Sequence, residues 1–344
     1  MGPGAGFFTP REVPKRIILN NLVMRTKAWN KDYGFVKMAC WNPWGLSNER
    51  LNYCRSLNFD VLGLPELHNV QNKKLWQSKT WITSEDSRVD EQGKNTDPAA
   101  GVAILLSQRF SKKILAQGAV ESRIVWVRLD GPVCPLFVVC AYVPHKYKTT
   151  TPNAEDVLQQ ISHLLQNCRD LKPNDCIILL GDFNCELQRN VQGCTGRWFM
   201  NKRKDDGHSD KVIELLRAHD LFAVDSLFCP KRKNMFCTDK KKRYCNATYL
   251  QKEKGRRPKK LDYFFISNRW RSCVTNSTTC WAPSVHRFGK LFDHSLLKIT
   301  WRWRVKKDAN AKRKDFKAMN TEDWSRLNET IDKNLEASRP QGYA

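Results

Sequence analysis

The chain has no two cysteines spaced C-x-x-C, although it holds 13 cysteines in 344 residues. A zinc ribbon is therefore not expected. The cysteine count is odd and the positions are scattered. Cys40, Cys140 and Cys176 sit inside apolar, strand-like runs, and Cys229, Cys237 and Cys245, spaced by eight, match no common metal motif. The cysteines read as free thiols of a reducing compartment. No stretch approaches 18 apolar residues and no signal-peptide pattern opens the chain. The expectation is an intracellular protein, nuclear or cytoplasmic, with no membrane partner. P-loop and dinucleotide-type glycine patterns are also missing. Finally, the chain is short of acid: 35 Asp and Glu face 59 Lys and Arg, a net charge of +24. Such an imbalance favours a polyanionic partner, nucleic acid first. Between Lys231 and Lys260 thirteen basic residues face only Asp239 and Glu253, and this clustering resembles a phosphate-contacting surface or loop more than an evenly solvated face.

What is present is a mixture of strands and helices with strands in excess. "FVKMACWN", "DVLGLPELH", "GVAILL", "RIVWVRL", "PLFVVCAYVP", "CIILLGD", "LDYFFIS" and "SLLKITWRW" read as strands. Ser47 or Asn48 caps a first helix in which Leu51 and Cys54 lie one turn apart. In "EDVLQQISHLLQNCRDL", Val157, Ile161, Leu164, Leu165 and Cys168 share one helical face, and a later helix carries Val212, Leu215 and Leu216. Residues 83–99 are polar and predicted as loop. One large α/β core is expected over 34–304, after a basic, flexible segment at 1–33. Residues 305–344 read as a charged linker and an amphipathic helix striped by Trp324, Leu327, Ile331 and Leu335.

The strand "CIILL" ends in Gly-Asp-Phe-Asn. The tetrapeptide reads equally as a turn and as a site. In extended chain Asp182 and Asn184 point to one side and Phe183 to the other, and Gly181 lets the backbone turn close to a substrate. Other strand ends carry Asn42, Glu66, Tyr142, Asp262 and the pair Asp293-His294. Each is weak evidence alone. As a set they supply the parts for metal-assisted cleavage of a phosphodiester.

In order, "WNPWGL", "LPELH", "GVAILL", "AYVP", "GDFN", "LDYFFIS" and "DHSLL" resemble the successive motifs of the endonuclease/exonuclease/phosphatase superfamily, over about residues 35–304. The resemblance implies a four-layer α/β sandwich: two packed mixed β-sheets flanked by helices. It implies a Mg²⁺ cofactor, or Mn²⁺ in its place, held by Glu66 with Asn42 and Asp293, since a hard cation takes oxygen ligands. Asp182 would orient or deprotonate the attacking water, and Asn184 would hold that water or a phosphate oxygen. His294 would donate to a phosphate oxygen, with Asp262 fixing its tautomer and raising its pKa. Tyr142 would add a phosphate hydrogen bond. Thr248, Lys252, Lys254, Arg256, Arg257, Lys259 and Lys260 would face DNA. Two positions depart from the family pattern: Phe292 stands where Ser is usual, and Pro65 where Gln is usual, so the turn at Glu66 is expected to differ.

Within the superfamily, the stretch from "GDFNCELQRNVQGC" to "DLFAVDSLF", together with "PSVHRFGKLFDHSLL", resembles the endonucleases of non-LTR retrotransposons. That branch implies nicking of target DNA, and a tail leading towards a reverse-transcriptase region of a longer polyprotein. A repair apurinic endonuclease, a phosphatase or phospholipase, and an inactive nucleic-acid-binding copy are the alternatives.

Overall fold

The structure is a computed structural model. It describes residues 24–31, 34–68, 80–84, 100–145, 152–199, 207–228, 247–249, 258–280 and 294–303. Twelve strands are described in these segments: β1 (Val36–Cys40), β2 (Val61–Leu64), β3 (Trp81–Thr83), β4 (Ala103–Leu106), β5 (Ile114–Val120), β6 (Ile124–Leu129), β7 (Leu136–Tyr142), β8 (Cys176–Asp182), β9 (Leu221–Ala223), β10 (Asp262–Ser267), β11 (Val274–Cys280) and β12 (Leu296–Trp301). They form two six-stranded sheets, ordered β11-β12-β1-β2-β4-β3 and β5-β6-β7-β8-β10-β9.

Each sheet is mixed. β1 runs parallel to β2 and antiparallel to β12, while β7 runs parallel to β8, which is antiparallel to β10. The carboxyl ends of β1, β2, β7 and β8 and the amino ends of β10 and β12 are the strand ends that bear the motif residues. All seven residues of β7 and of β8 are buried, as their unbroken apolar runs predict for strands covered on both faces.

The apolar clusters describe four layers. One cluster joins the facing sides of the sheets, with Val36, Met38 and Ile104 from the first and Val138, Ile178 and Phe264 from the second. A second lies between the outer side of the second sheet and the helices Ala154–Leu171 and His208–Ala218. A third lies under the helix Asn48–Ser56, against Ala39 and Leu62. The protein is thus the predicted four-layer α/β sandwich, with two sheets face to face and helices outside.

The helix starts are set by polar side chains. Asn153 accepts from Glu155 N and Asp156 N while the Asp156 carboxylate accepts from Asn153 N, a reciprocal cap. Ser47 accepts from Arg50 N. Residues 24–31, assigned by sequence to the basic amino-terminal stretch, are helical. Trp29 is buried there with its ring edge-on to Phe110, and Asn30 Nδ2 donates to Trp303 O. Nine of the ten described cysteines are buried and all ten are free. No helix among the described residues is long and apolar enough to cross a membrane.

Candidate active site

A cleft of about 270 Å³ opens where the strand ends of the two sheets meet. Its lining includes Glu66, Tyr142, Asp182, Asn184 and His294. Residues from 66 to 294 of the chain therefore converge on one space.

The floor comes from the second sheet. Asp262 and Asp182 pair across β10 and β8, so their carboxylates sit side by side. Both are buried. His294 bridges them: Nδ1 lies 2.9 Å from Asp262 Oδ2 and Nε2 lies 3.7 Å from Asp182 Oδ2. Asp182 Oδ1 accepts the Asn184 amide N–H at 2.9 Å. Burial, followed by the neighbouring Asp262 carboxylate, pushes Asp182 up to about 7. Tyr142 is buried beneath the Arg123 guanidinium. Burial and then the Glu66 and Asp182 charges hold its hydroxyl well above the usual phenol range, so it stays a neutral donor.

The other wall comes from the first sheet. Asn42, just past β1, donates through Nδ2 to Glu66 Oε2 at 2.7 Å and to Asp182 Oδ2 at 2.9 Å. Its Oδ1 accepts the Trp44 N–H at 2.8 Å. That backbone donor fixes which way the amide faces, since a flip would set N–H against N–H. Asn42 therefore presents hydrogens, not the ligating oxygen expected of it, to the two carboxylates, and joins Glu66 to Asp182. Burial works to raise Glu66, but hydrogen bonds from His68 and Asn42 outweigh it and hold the carboxyl below its usual range. Two carboxylates in one cleft are thus driven in opposite directions.

The turn after β2 departs from ordinary geometry. Glu66 and His68 have φ of 57° and 51°, and Trp44 facing them has 47°. Bulky residues enter this region at a cost of about 1–3 kcal/mol each. The interlocked backbone holds them there: Gly45 N donates to Glu66 O, Leu46 N to Leu67 O, and Leu67 N to Gly101 O. With Pro65 unable to donate a backbone N–H, these bonds come from the flanking residues.

Several expectations require correction. Asn184 is not in extended chain. Its φ is 49°, the strand has ended at Asp182, and its Nδ2 donates to Val143 O. The sheet itself requires Gly181, because a Cβ there would stand 1.9 Å from Ala141 O of the neighbouring strand. Phe183 does point into the packing, 4.8 Å from the Phe265 ring. Thr248, expected to face DNA, is wholly buried, and its Oγ1 accepts from Leu261 N and Asp262 N at 3.0 Å each. It braces the start of β10, and thereby Asp262. Lys260, expected to face DNA, is buried with Nζ 2.6 Å from Asp225 Oδ2, because a buried carboxylate needs a counter-charge. Lys259 does line the cleft. Asp293, Lys252, Lys254, Arg256 and Arg257 lie outside the described residues.

Sequence reasoning missed Trp44, His68, His145 and Tyr249. Tyr249 pairs with Lys259 and His294, its ring 5.0 Å from the imidazole. His68 Nε2 lies 3.2 Å from Glu66 Oε1. The available signals were its position two residues after Glu66, and an aromatic beside Thr248.

Among the described residues, Asp182, Asp262 and His294 form a group whose ligand atoms lie within 4.8 Å of one another. Asp262 Oδ1 is buried with no hydrogen-bond partner. Glu66 stands outside this group and reaches Asp182 through Asn42. Hard carboxylate oxygens, an orphaned one among them, and an Asp driven up by burial and then by a second carboxylate make a site short of positive charge. A divalent cation of the Mg²⁺ type fits that donor set.

No family model matches the chain. Craniofacial development protein 2 of Bos taurus is 24% identical over 293 residues, covering 83% of this chain and 44% of that protein. Its counterpart in Tragulus javanicus is 22% identical, covering 70% of this chain and 39% of that one. The chain spans less than half the length of these curated relatives. Among solved structures, a Neisseria 3′ phosphatase bound to a product DNA hairpin superposes with a TM-score of 0.54 at 16% identity, covering 78% of this chain and 100% of that one. An AP endonuclease from Leishmania major gives 0.54 at 15% identity, covering 80% and 91%. The chain shares its fold with that phosphatase and that AP endonuclease.

Proposed function

We propose that the chain is a metal-dependent phosphodiesterase that cuts DNA. The observation that carries this reading is the convergence of Glu66, Asp182 and His294, with Asp262 behind the imidazole, in one cleft. Three buried carboxylates beside one imidazole suit a cation and a phosphate.

Glu66 would hold Mg²⁺, or Mn²⁺, with help from the Asp182–Asp262 side and from Asp293. The cation would neutralise charge on the phosphate and the departing oxygen. Asp182 is the base. Held near neutrality, it takes the proton from water as that oxygen attacks phosphorus. The Asn42 amide and the Asn184 N–H fix its two oxygens. His294 gives its Nδ1–H to Asp262, so Nε2 carries a hydrogen for the phosphate only when the ring is doubly protonated. Tyr142, a neutral phenol, is a second donor at the place where charge develops. The bond from phosphorus to the 3′-oxygen breaks, solvent water supplies that oxygen's proton, and the nick exposes a 3′-hydroxyl with the phosphate left on the 5′ side.

The finer reading is an endonuclease of the non-LTR retrotransposon type. Its support is the run of motifs between Gly181 and Leu297 and the chain's net charge of +24. In such a protein residues 305–344 would connect to a reverse-transcriptase region. The alternative is repair of damaged DNA, favoured by the fold likeness to an AP endonuclease and a 3′ phosphatase. The test compares intact duplex, abasic duplex and an inositol phosphate in Mg²⁺. Cleavage of intact duplex supports the first reading and strong preference for the abasic duplex the second. Turnover of the inositol phosphate alone would sink both.

A further inference from the structure

Most tryptophans of the described residues are packed inside the protein, Trp41, Trp301 and Trp303 almost completely. Trp44 is different. It is 48% exposed and it lines the catalytic cleft. Exposing that much apolar ring to water is unfavourable, and its left-handed backbone adds strain. Both are sustained by a rigid mount. Trp44 N donates to Asn42 Oδ1, and Arg50 Nη1 donates to Trp44 O at 2.8 Å and to Gly45 O at 2.9 Å. The indole also meets the His68 ring edge-on, centroids 6.1 Å apart, and His68 in turn touches Glu66. One aromatic ring thus separates an exposed indole from the carboxylate assigned to the metal.

A ligand that offers a phosphate to Glu66 and Asp182 and a flat π face beside them is a nucleotide. An inositol phosphate has no such face, and a lipid phosphate has none next to its phosphorus. A base inside a continuous duplex has both faces covered by its neighbours.

We propose that Trp44 is a stacking platform for the base of a single unpaired nucleotide beside the scissile phosphate. Cleavage therefore requires a base out of its stack: a single strand, a strand end or a flipped residue. This inference rests on the nuclease reading for its role in turnover, but the platform itself can be measured without turnover.

The test is equilibrium binding in EDTA, followed by fluorescence anisotropy of a labelled single strand. The wild type, Trp44→Ala and Trp44→Tyr are compared, on strands carrying either a base or a base-less residue at each position in turn. Stacking is worth about 1–3 kcal/mol per base, so Trp44→Ala should weaken binding roughly 5- to 150-fold, and Trp44→Tyr should restore much of it. At one position, removing the base should weaken the wild type and have little further effect on Trp44→Ala. If Trp44→Ala binds as tightly as the wild type, or is as sensitive to base removal at every position, the platform is overturned whatever the catalysis does. If strands bind through Trp44 and none is cut, the nuclease reading falls and the platform stands.

Discussion

The two walls of the cleft are built by opposite means. The second-sheet wall is made of strands: Asp182 and Asp262 are paired residues of neighbouring strands, buried, with their positions fixed by the ladder. The first-sheet wall is made of turns: Asn42, Trp44, Glu66 and His68 follow strand ends, three of them with left-handed backbone, and Trp44 reaches solvent. On the strand wall burial raises the proton affinity of Asp182. On the turn wall hydrogen bonds from His68 and Asn42 lower that of Glu66. Asn42 couples the two, touching a carboxylate on each.

The comparison breaks hardest at the strand wall. Asp182→Asn keeps the shape but removes the base, and should lower kcat for plasmid nicking by about 10²–10⁴-fold while the protein still folds. His294→Ala should do as much. Glu66→Gln on the turn wall should act differently, raising the Mg²⁺ concentration needed for half-maximal rate. If Asp182→Asn and Glu66→Gln gave the same metal dependence, the division of labour would be wrong.

The next effect is on stability. Lys260→Ala strands Asp225, a carboxylate with no exposure, and should cost about 3–5 kcal/mol in urea unfolding. Lys260→Ala together with Asp225→Asn should recover much of that loss, which a surface role for Lys260 would not produce.

A comparable effect, spread over several pH units, follows from the raised Asp182. Its folded value, about 7, lies above the 3.8 of an unperturbed Asp, so the folded state holds the proton more tightly than the unfolded one. Its contribution to stability is greatest below the unfolded value and is lost as pH rises towards 7, at a slope of up to about 1.4 kcal/mol per pH unit. In EDTA the melting temperature should fall across that window. Asp182→Asn should flatten the fall, and Mg²⁺ should oppose it. A wild-type melting temperature that rises steadily from pH 4 to 7 would contradict the assignment.

The same contrast governs what the sequence reveals. The eight strands legible in it are the interior strands of the two sheets. The four that escaped notice, β3, β5, β9 and β11, are the four edges. An interior strand is buried on both flanks and carries an unbroken or alternating apolar run. An edge strand such as Val274–Cys280, reading Val-Thr-Asn-Ser-Thr-Thr-Cys, is mostly polar, and it exists because a neighbour offers it a ladder. The site divides likewise. Asp182, Asp262 and His294 were legible because they stand at the ends of readable strands. Trp44 and His68 were not, because nothing in "NPWG" or "ELH" announces a left-handed turn. Thr248 and Lys260 misled because composition counts charge and polarity without burial. A basic run looks uniform in sequence, while the structure turns one lysine inward and leaves its neighbour outside.

That neighbouring pair gives the finest test. Lys259 lines the cleft and contributes its backbone, not its side chain, to the bridge with Tyr249. Lys259→Ala should therefore leave the melting curve unchanged, unlike Lys260→Ala. If Nζ neutralises one phosphate, its loss removes one released counterion, and the slope of log K against log salt should shrink by about 0.7 for a single strand or about 0.9 for duplex. Binding at moderate salt should weaken only a few-fold, about equally for all sequences, because a phosphate contact carries no base information. The size of the slope change thus reports which form of DNA lies beside Lys259, and it can be compared with the form that Trp44 requires. An unchanged slope would move Lys259 off the nucleic-acid path and leave Trp44 and Tyr249 as the rim groups that meet the strand.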